Sequence, residues 1–177
     1  MSFWIMPLRA PALFLLAALP AWAEPATPSL SPEIAWLETG VFCALQAMDR
    51  MPAPGSDSGW IHVPRGQITF HWPDRQVVPA SIGIAFGVRA AARPGWAGPA
   101  VIHVLRPGRS TPETFETSIS DAGGALAFFR FDTQDELLPG LWALEAWQGD
   151  TRLYHAEFEV VPASALPEIA QACGATS

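Results

Sequence analysis

The sequence predicts an all-β protein, an immunoglobulin-like antiparallel β-sandwich with a short C-terminal helix. Two observations lead to this fold class. Apolar and polar residues alternate in about seven short runs, which Pro- and Gly-rich turns separate. Only one segment, close to the C-terminus, has the composition and the boundary residues of a helix. A small β-barrel produces the same pattern and is the alternative architecture.

Residues 1–23 have the features of a secretory signal peptide. Arg9 precedes the uncharged run 10–22, and small residues occupy positions 21 and 23. The run is shorter than the roughly 20 residues that a membrane-spanning helix needs, and it contains prolines. We therefore expect cleavage after Ala23, a periplasmic or secreted product, and no membrane segment in the mature protein.

The remaining chain divides into a short linker and one domain. Residues 24–33 are rich in Pro and predict an extended linker, and residues 34–177 predict a single sandwich domain. Ile34–Leu45 is its first strand candidate, and the Pro-, Gly- and Ser-rich residues 47–59 predict an exposed loop. Further strand candidates are Trp60–Val63, Gln67–Trp72, Ser81–Arg89 and Ala100–Arg106, with a hairpin formed by Phe115–Ser120 and Ala125–Phe131.

The strongest pattern in the chain lies in Pro139–Val161, which predicts a β-hairpin. Two alternating runs flank Gln148-Gly149-Asp150, and alternation with a period of two is typical of half-buried strands. The apolar face of both runs is expected to contact the core, with Trp142 opposite Phe158.

The polar face of this hairpin determines the predicted loop length. Glu157 and Glu159 are expected to face water, because burying a carboxylate is costly. Partners in antiparallel strands lie on the same face, so the even-numbered residues of the two runs, which face the core, must pair with each other. A two-residue loop would pair even-numbered with odd-numbered residues, so we predict a three-residue loop, 149–151. Trp147 then lies opposite Leu153 on the outer face of the hairpin.

The C-terminal segment predicts a helix and carries one of the two cysteines. Leu166–Cys173 has Pro167 at its start and Gly174 just after its end. Cysteine pairs in exported proteins more often form disulfides than stay free, so we expect Cys43 to be bonded to Cys173. Neither cysteine has a neighbouring residue at metal-ligand spacing.

Two blocks of the chain carry a resemblance to a known family. VPASIGIAFGV (Val78–Val88) and ELLPGLWALEAWQGDTRLYHAEFEVV (Glu136–Val161) resemble the best-marked parts of an uncharacterised family of exported bacterial domains of unknown function. In that family a Pro-Gly-x-Trp strand and a closing Phe-x-Val strand recur near the C-terminus. The resemblance extends over Ile34 to Val161 and implies an immunoglobulin-like β-sandwich. It implies no activity, so no functional residue is assigned from it.

Charge and motifs exclude several classes of function. The net charge of −7 disfavours binding to nucleic acid or to an anionic membrane surface. The sequence has no nucleophile elbow, no phosphate-binding glycine loop and no zinc-binding histidine pair. We therefore expect no enzyme activity, no catalytic residue, no metal site and no cofactor.

Two groups of polar residues match metal sites in composition but not in spacing. His71, His103 and Asp74 are scattered along the chain, and their spacing does not support metal binding. The acidic residues within 132–136 lack the ordered ligands and the glycine of a calcium loop. They predict a solvated acidic loop.

Three of the six tryptophans that follow the predicted cleavage site are candidate ligand contacts. Trp72 and Trp96 lie beside predicted loops, and Trp147 falls on the outer face of the hairpin. The others are expected to pack in the core or at its rim.

Two functions fit these predictions. The first is an exported interaction or accessory module that binds an envelope protein through an exposed strand edge or through the patch of Trp147 and Leu153. The alternative is a carbohydrate-binding module that stacks a glycan on exposed tryptophans. An unprotected edge strand favours the first, and a coplanar pair of exposed tryptophans favours the second. The sequence does not predict the oligomeric state.

Overall fold

The computed structural model describes Met1 and residues 24–45 and 48–173, so the predicted signal peptide beyond Met1 lies outside the described residues. Most of the described chain forms strands. They are β1 (Ser29–Leu30), β2 (Ile34–Cys43), β3 (Met48–Pro52), β4 (Trp60–Pro64), β5 (Trp72–Pro73), β6 (Val77–Ala80), β7 (Ile84–Ala92), β8 (Ala97–Leu105), β9 (Glu113–Ser120), β10 (Ala125–Arg130), β11 (Gly140–Gln148) and β12 (Thr151–Pro162). The described residues also form one α-helix, α1 (Pro167–Ala172), and two 3-10 turns, Gln134–Glu136 and Ala163–Ala165.

The strands form two sheets that pack face to face, with a separate two-stranded ribbon. The first sheet has the order β1-β12-β11-β8-β9, and β6 also pairs with β12. The second sheet has the order β10-β7-β2-β5, and β3 with β4 forms the ribbon. Every pairing is antiparallel except that of β6 with β12. The protein is an immunoglobulin-like antiparallel β-sandwich with a short C-terminal helix, as the sequence predicts.

Trp142 lies at the centre of the core between the sheets. Its side chain is fully buried, and its Nε1–H donates a hydrogen bond to the carbonyl oxygen of Leu138 at 2.9 Å. The rings of Phe86, Phe129 and Phe131 surround it at centroid distances of 5.7, 5.0 and 5.8 Å. The prediction that Trp142 faces the core is confirmed.

β11 and β12 form the predicted hairpin, and Trp142 pairs with Phe158 as expected. The predicted three-residue loop is wrong, because Gln148 pairs with Thr151 and leaves only two residues between them. The glycine of this loop, Gly149, has a φ of 55°, a left-handed conformation that glycine adopts without strain.

A β-bulge is the reason for the shorter loop. Ala146 pairs with Tyr154, but the next residue, Trp147, pairs with Arg152, so Leu153 is an extra residue on β12. Before the bulge even-numbered residues pair with even-numbered ones, and beyond it odd-numbered residues pair with even-numbered ones, so the loop has two residues and not three. Leu153 is 0% exposed and belongs to the core, so the predicted outer patch of Trp147 and Leu153 does not form.

Two segments before β6 differ from their predicted structure. Residues 48–52, predicted as part of an exposed loop, form β3 and pair with β4. This ribbon lies outside the two sheets, and β3 has no buried residue and therefore no alternation of apolar and polar residues. Of the strand predicted at Gln67–Trp72, residues 67–71 are not a strand and Trp72 begins the short β5, although Ile68 and Phe70 are buried against the outer face of the second sheet.

β9 and β10 do not form the predicted hairpin. β9 pairs with β8 in the first sheet, and β10 pairs with β7 in the second, so the turn at 121–124 crosses from one sheet to the other. Each strand is therefore the last of its sheet, and both last strands lie on the same side of the sandwich. A hairpin and a crossover between sheets have the same sequence pattern, two alternating runs joined by turn residues. This pattern does not show which strands the two runs pair with.

Residues 24–33 are extended, as predicted, but they join the first sheet. β1 pairs with β12 and places Ser29 opposite His155. Before β1, the N–H of Ala26 donates to Glu157 Oε2 at 2.9 Å, and the carbonyl oxygen of Ala26 accepts from Gln76 Nε2 at 3.1 Å. The linker is therefore bound along β12.

The strand β6 was not predicted, and it changes the surroundings of Glu159. β6 contains Pro79, a residue that argues against a strand, and it lies parallel to β12 with Val77 beside Glu159. Glu159 is 4% exposed, so the expectation that it faces water is wrong. Burial raises the pKa of this carboxyl above its ordinary value of 4.5.

Glu159→Gln is expected to raise the free energy of unfolding at pH 7 by an amount on the order of 1 kcal/mol, because it removes a buried charge. A raised pKa in the folded state means that Glu159 favours folding only below the unfolded pKa, and that this contribution is lost as pH rises through the folded pKa. The gain should therefore disappear below about pH 4. Urea melts at pH 7 and pH 4 measure it, and a gain of equal size at both pH values would contradict the assignment.

A disulfide joins the C-terminal helix to the second sheet. Cys43 of β2 is bonded to Cys173, with a Cα–Cα distance of 5.0 Å, as predicted. α1 begins at Pro167 and buries Ile169. No helix among the residues that the structure describes is long and apolar enough to cross a membrane.

Candidate functional site

A cleft of about 530 Å³ opens at the side of the sandwich where β9 and β10 are the last strands of their sheets. The β3–β4 ribbon covers part of it. We call it the edge cleft. Its volume is in the range of ligand-binding sites in proteins. Residues of β4, β9, β10 and the end of β8 line it, among them Trp60, His62, Arg106, Glu113, Phe115 and Phe128.

The ribbon is attached to the sandwich on both sides of the edge cleft. On one side His62 Nε2 lies 2.6 Å from Asp132 Oδ2, just after β10. On the other side the N–H of Asp57 donates to Glu113 Oε2 at 3.0 Å, and the N–H of Thr114 donates to the carbonyl oxygen of Gly55 at 2.9 Å. Between these attachment points the ribbon forms no strand pairing with β10 in the described chain.

The outer edge of β10 has free backbone groups that face the edge cleft. Alternate residues of a strand direct their N–H and C=O groups to opposite sides. The N–H of Phe131 donates to Ile84 at 3.0 Å, so the odd-numbered residues point to β7. Leu126, Phe128 and Arg130 therefore point outward, and all three line the edge cleft. Among the described residues their backbone groups have no strand partner.

Two further strand edges reach the edge cleft. Thr114 of β9 directs its N–H away from β8, to the carbonyl oxygen of Gly55. Because backbone direction repeats every two residues, the N–H and C=O groups of Glu116 also point away from β8. In the ribbon, the N–H of Ala53 donates to the carbonyl oxygen of Gly59, so the odd-numbered residues of the two strands bond to each other. The backbone groups of the even-numbered His62 therefore point away from β3. Glu116 and His62 both line the edge cleft, which is therefore bordered by the outward backbone of three strands.

A buried arginine forms the floor of the edge cleft. The side chain of Arg106 is 5% exposed, and its guanidinium carbon lies 5.0 Å from the centre of the Phe129 ring and 5.5 Å from that of Trp142. It forms ion pairs with Glu113 and, at 3.1 Å, with Asp57. Its Nε–H has no hydrogen-bond partner in the described chain. Burial lowers the pKa of Arg106, and the charge of Asp57 opposes this.

The other charged residues of the edge cleft divide into paired and unpaired groups. Arg130 Nε donates to Asp132 Oδ1 at 2.6 Å, and Arg89 Nη1 donates to Glu38 at 3.1 Å. Glu116 and Glu136 form no ion pair with any described residue.

The acidic segment 132–136 is more ordered than the predicted solvated loop. Glu136 Oε2 accepts the N–H of Asp132 at 2.6 Å and that of Thr133 at 2.9 Å, which caps the short 3-10 turn. Asp132 is bonded to His62 and Arg130. Within residues 24–45 and 48–173 there is no group of three or more side chains placed to hold a metal ion.

His71 and His103 lie at different sheets of the sandwich. His71 lies next to β5 of the second sheet, where its Nδ1 accepts the N–H of Cys43 at 3.2 Å. His103 lies on β8 of the first sheet and stacks on Trp147. His62 is the histidine of the edge cleft, and its buried Nδ1 has no partner in the described chain.

Trp147 lies in a second, shallower depression on the first sheet. The depression has a volume of about 410 Å³ and is lined by Val101, His103, Trp147, Gly149 and Asp150. The rings of His103 and Trp147 are 5.9 Å apart at an interplanar angle of 26°. Trp147 Nε1 donates to Glu145 Oε2 at 2.8 Å, which holds the indole in place.

The three candidate tryptophans do not form one surface. Trp72 and Trp96 are half-buried and pack against the core. Trp72 belongs to the second sheet, Trp96 to the turn before β8 and Trp147 to β11. No two of these rings stack on each other in the described structure. Sequence reasoning missed Arg106 and His62, because neither belongs to a motif.

Comparison with known proteins finds a likeness among solved structures. No family model matches the chain, and no curated protein matches it. Among solved structures, the chain is similar to an immunoglobulin-like protein from Pseudomonas aeruginosa, with 23% sequence identity. The match covers 77% of this chain and 98% of that chain, with a TM-score of 0.46.

Proposed function

We propose that this protein is an exported interaction module without catalytic activity, which binds an envelope protein by adding an extended segment of it to β10. One observation carries the proposal: the free outer edge of β10 faces the edge cleft. Extended peptides bind to free strand edges through main-chain hydrogen bonds, and side-chain pockets add specificity.

The edge of β10 differs from an edge that is merely exposed. Proteins usually block free strand edges, since these promote aggregation. Here the ribbon shields the edge from above but leaves space for another chain between them. A strand edge covered in this way can bind one extended segment in the edge cleft, while the ribbon prevents a whole second sheet from pairing with it.

Export is part of the proposal. The predicted signal peptide precedes the domain, and Cys43 is bonded to Cys173. Disulfides persist in the periplasm and outside the cell, whereas the cytosol reduces them. We place the mature protein in the periplasm or among secreted proteins.

Pull-down from periplasmic extract with Leu126→Pro and its matched control, Leu126→Ala, tests the proposal. Both changes remove the leucine side chain, but only proline removes the outward N–H. The same partner should be captured by the wild type and by Leu126→Ala, and lost with Leu126→Pro. Thermal melts of both variants show that they are folded. Equal capture by the folded proline variant would contradict strand addition at β10.

A carbohydrate-binding function is the second candidate, and the stacking of His103 on Trp147 favours it. Aromatic rings beside polar groups such as Asp150 suit the apolar face and the hydroxyl groups of a sugar. Oligosaccharides that shift the Trp147 indole resonance and leave β10 unchanged would support this candidate over the first.

A further inference from the structure

We infer that the segment bound in the edge cleft is an extended peptide with basic side chains at alternate positions. The inference rests on the proposed function and adds the chemistry of the partner. Two observations on the walls of the edge cleft support it: their charge and the unpartnered Nε–H of Arg106.

The charged residues that line the edge cleft have a negative sum. Carboxylates outnumber guanidinium groups by five to three, which gives a net charge of −2 when His62 is neutral. The five carboxylates are Asp57, Glu113, Glu116, Asp132 and Glu136, and the three guanidinium groups are Arg89, Arg106 and Arg130.

The pairing of these charges leaves negative groups available. Each of the three arginines already forms an ion pair within the chain. Glu116 and Glu136 form none with the described residues. Glu136 Oε2 already accepts two backbone N–H groups, whereas Glu116 is exposed on the edge of β9 and is the more available carboxylate. A basic side chain of the partner complements these carboxylates, whereas an acidic one meets repulsion.

The Nε–H of Arg106 indicates a neutral acceptor. This donor is buried and has no partner in the described chain, and a buried donor without a hydrogen bond is costly. A carboxylate ligand would lie near Glu113 and Asp57, which already bind the same guanidinium group. A backbone carbonyl oxygen accepts the hydrogen bond without adding a charge.

The apolar walls match the other alternate positions of such a peptide. Side chains of an added strand point to opposite faces in turn. Ile61, Val63 and Phe115 offer apolar contacts in the edge cleft. Aliphatic residues between the basic ones would meet these walls.

Titration with three blocked hexapeptides, acetyl-RVRVRV-amide, acetyl-QVQVQV-amide and acetyl-EVEVEV-amide, tests the inference. Amide resonances of β10 and the Arg106 Nε–H resonance report binding by NMR. The basic peptide should bind about three- to tenfold more tightly than the neutral one, and the acidic peptide most weakly. Its advantage should shrink as salt is raised.

Glu116→Gln should reduce the affinity for the basic peptide about two- to fivefold and leave the neutral peptide unaffected. Glu168→Gln is the matched control, because Glu168 is exposed on α1 outside the edge cleft and carries the same charge. An equal loss with Glu168→Gln would show that the total charge of the protein, not the edge cleft, attracts the peptide, and would overturn the inference.

The outcomes separate this inference from the proposed function. Equal binding of all three peptides with shifts on β10 would overturn the basic preference and leave strand addition supported. Absence of β10 shifts with every peptide would overturn both.

Discussion

Trp142→Ala is expected to lower the free energy of unfolding by about 3–5 kcal/mol, one of the largest effects of any single substitution in this protein. The indole is fully buried among Phe86, Phe129 and Phe131, so its removal leaves a cavity bounded by both sheets. The carbonyl oxygen of Leu138 also loses its donor.

Trp147→Ala is the matched control for Trp142→Ala, because it removes the same kind of side chain five residues further along β11, on the opposite face of the strand. Trp147 is only half-buried and lies outside the core, so we expect a loss of about 1–2 kcal/mol. Urea melts of both variants measure the difference. The reverse order of the two losses would contradict the assignment of faces in the hairpin.

Loss of the disulfide is expected to lower the free energy of unfolding by about 2–4 kcal/mol. The bond between Cys43 and Cys173 closes a separation of 130 residues, and the entropy gained by the unfolded chain rises with loop length. The double variant Cys43→Ala/Cys173→Ala removes the bond without leaving free thiols.

The sandwich should survive in this double variant, because the strands supply nearly all of its buried core and the described C-terminal segment adds Ile169 and Cys173. Hydrogen exchange should accelerate first in Ala163–Ala165 and α1. Within these two elements Ile169 is the one buried side chain that would still anchor them to the core. An unchanged midpoint in urea, or loss of the whole fold, would contradict this role of the disulfide.

The parts of the fold that the sequence predicts are the strands in which large apolar residues alternate with small or polar ones. In β7 and the β11–β12 hairpin the large apolar residues face the core between the sheets, and their period of two shows this directly. β3 escapes prediction because it lies on the surface, and β6 because it is short and contains Pro79. The bulge at Leu153 escapes because alternation alone does not show an inserted residue.

The candidate site is harder to predict than the fold. Arg106 follows β8, His62 belongs to the ribbon and Glu116 to β9, so contacts between distant parts of the sequence bring them together. The crossover after β9 then places β10 on the same side of the sandwich. That crossover has the sequence pattern of a hairpin. The tryptophans that composition favours, Trp72 and Trp96, pack against the core instead.

Hydrogen exchange at β10 tests strand addition most directly. In the free protein the outward N–H groups of Leu126 and Phe128 should exchange rapidly, while those of Ala127 and Phe129, which point to β7, exchange slowly. With saturating acetyl-RVRVRV-amide, exchange at Leu126 and Phe128 should slow by at least about tenfold, because these groups then donate to the added strand. Unchanged exchange at both residues in the presence of the peptide would contradict the account.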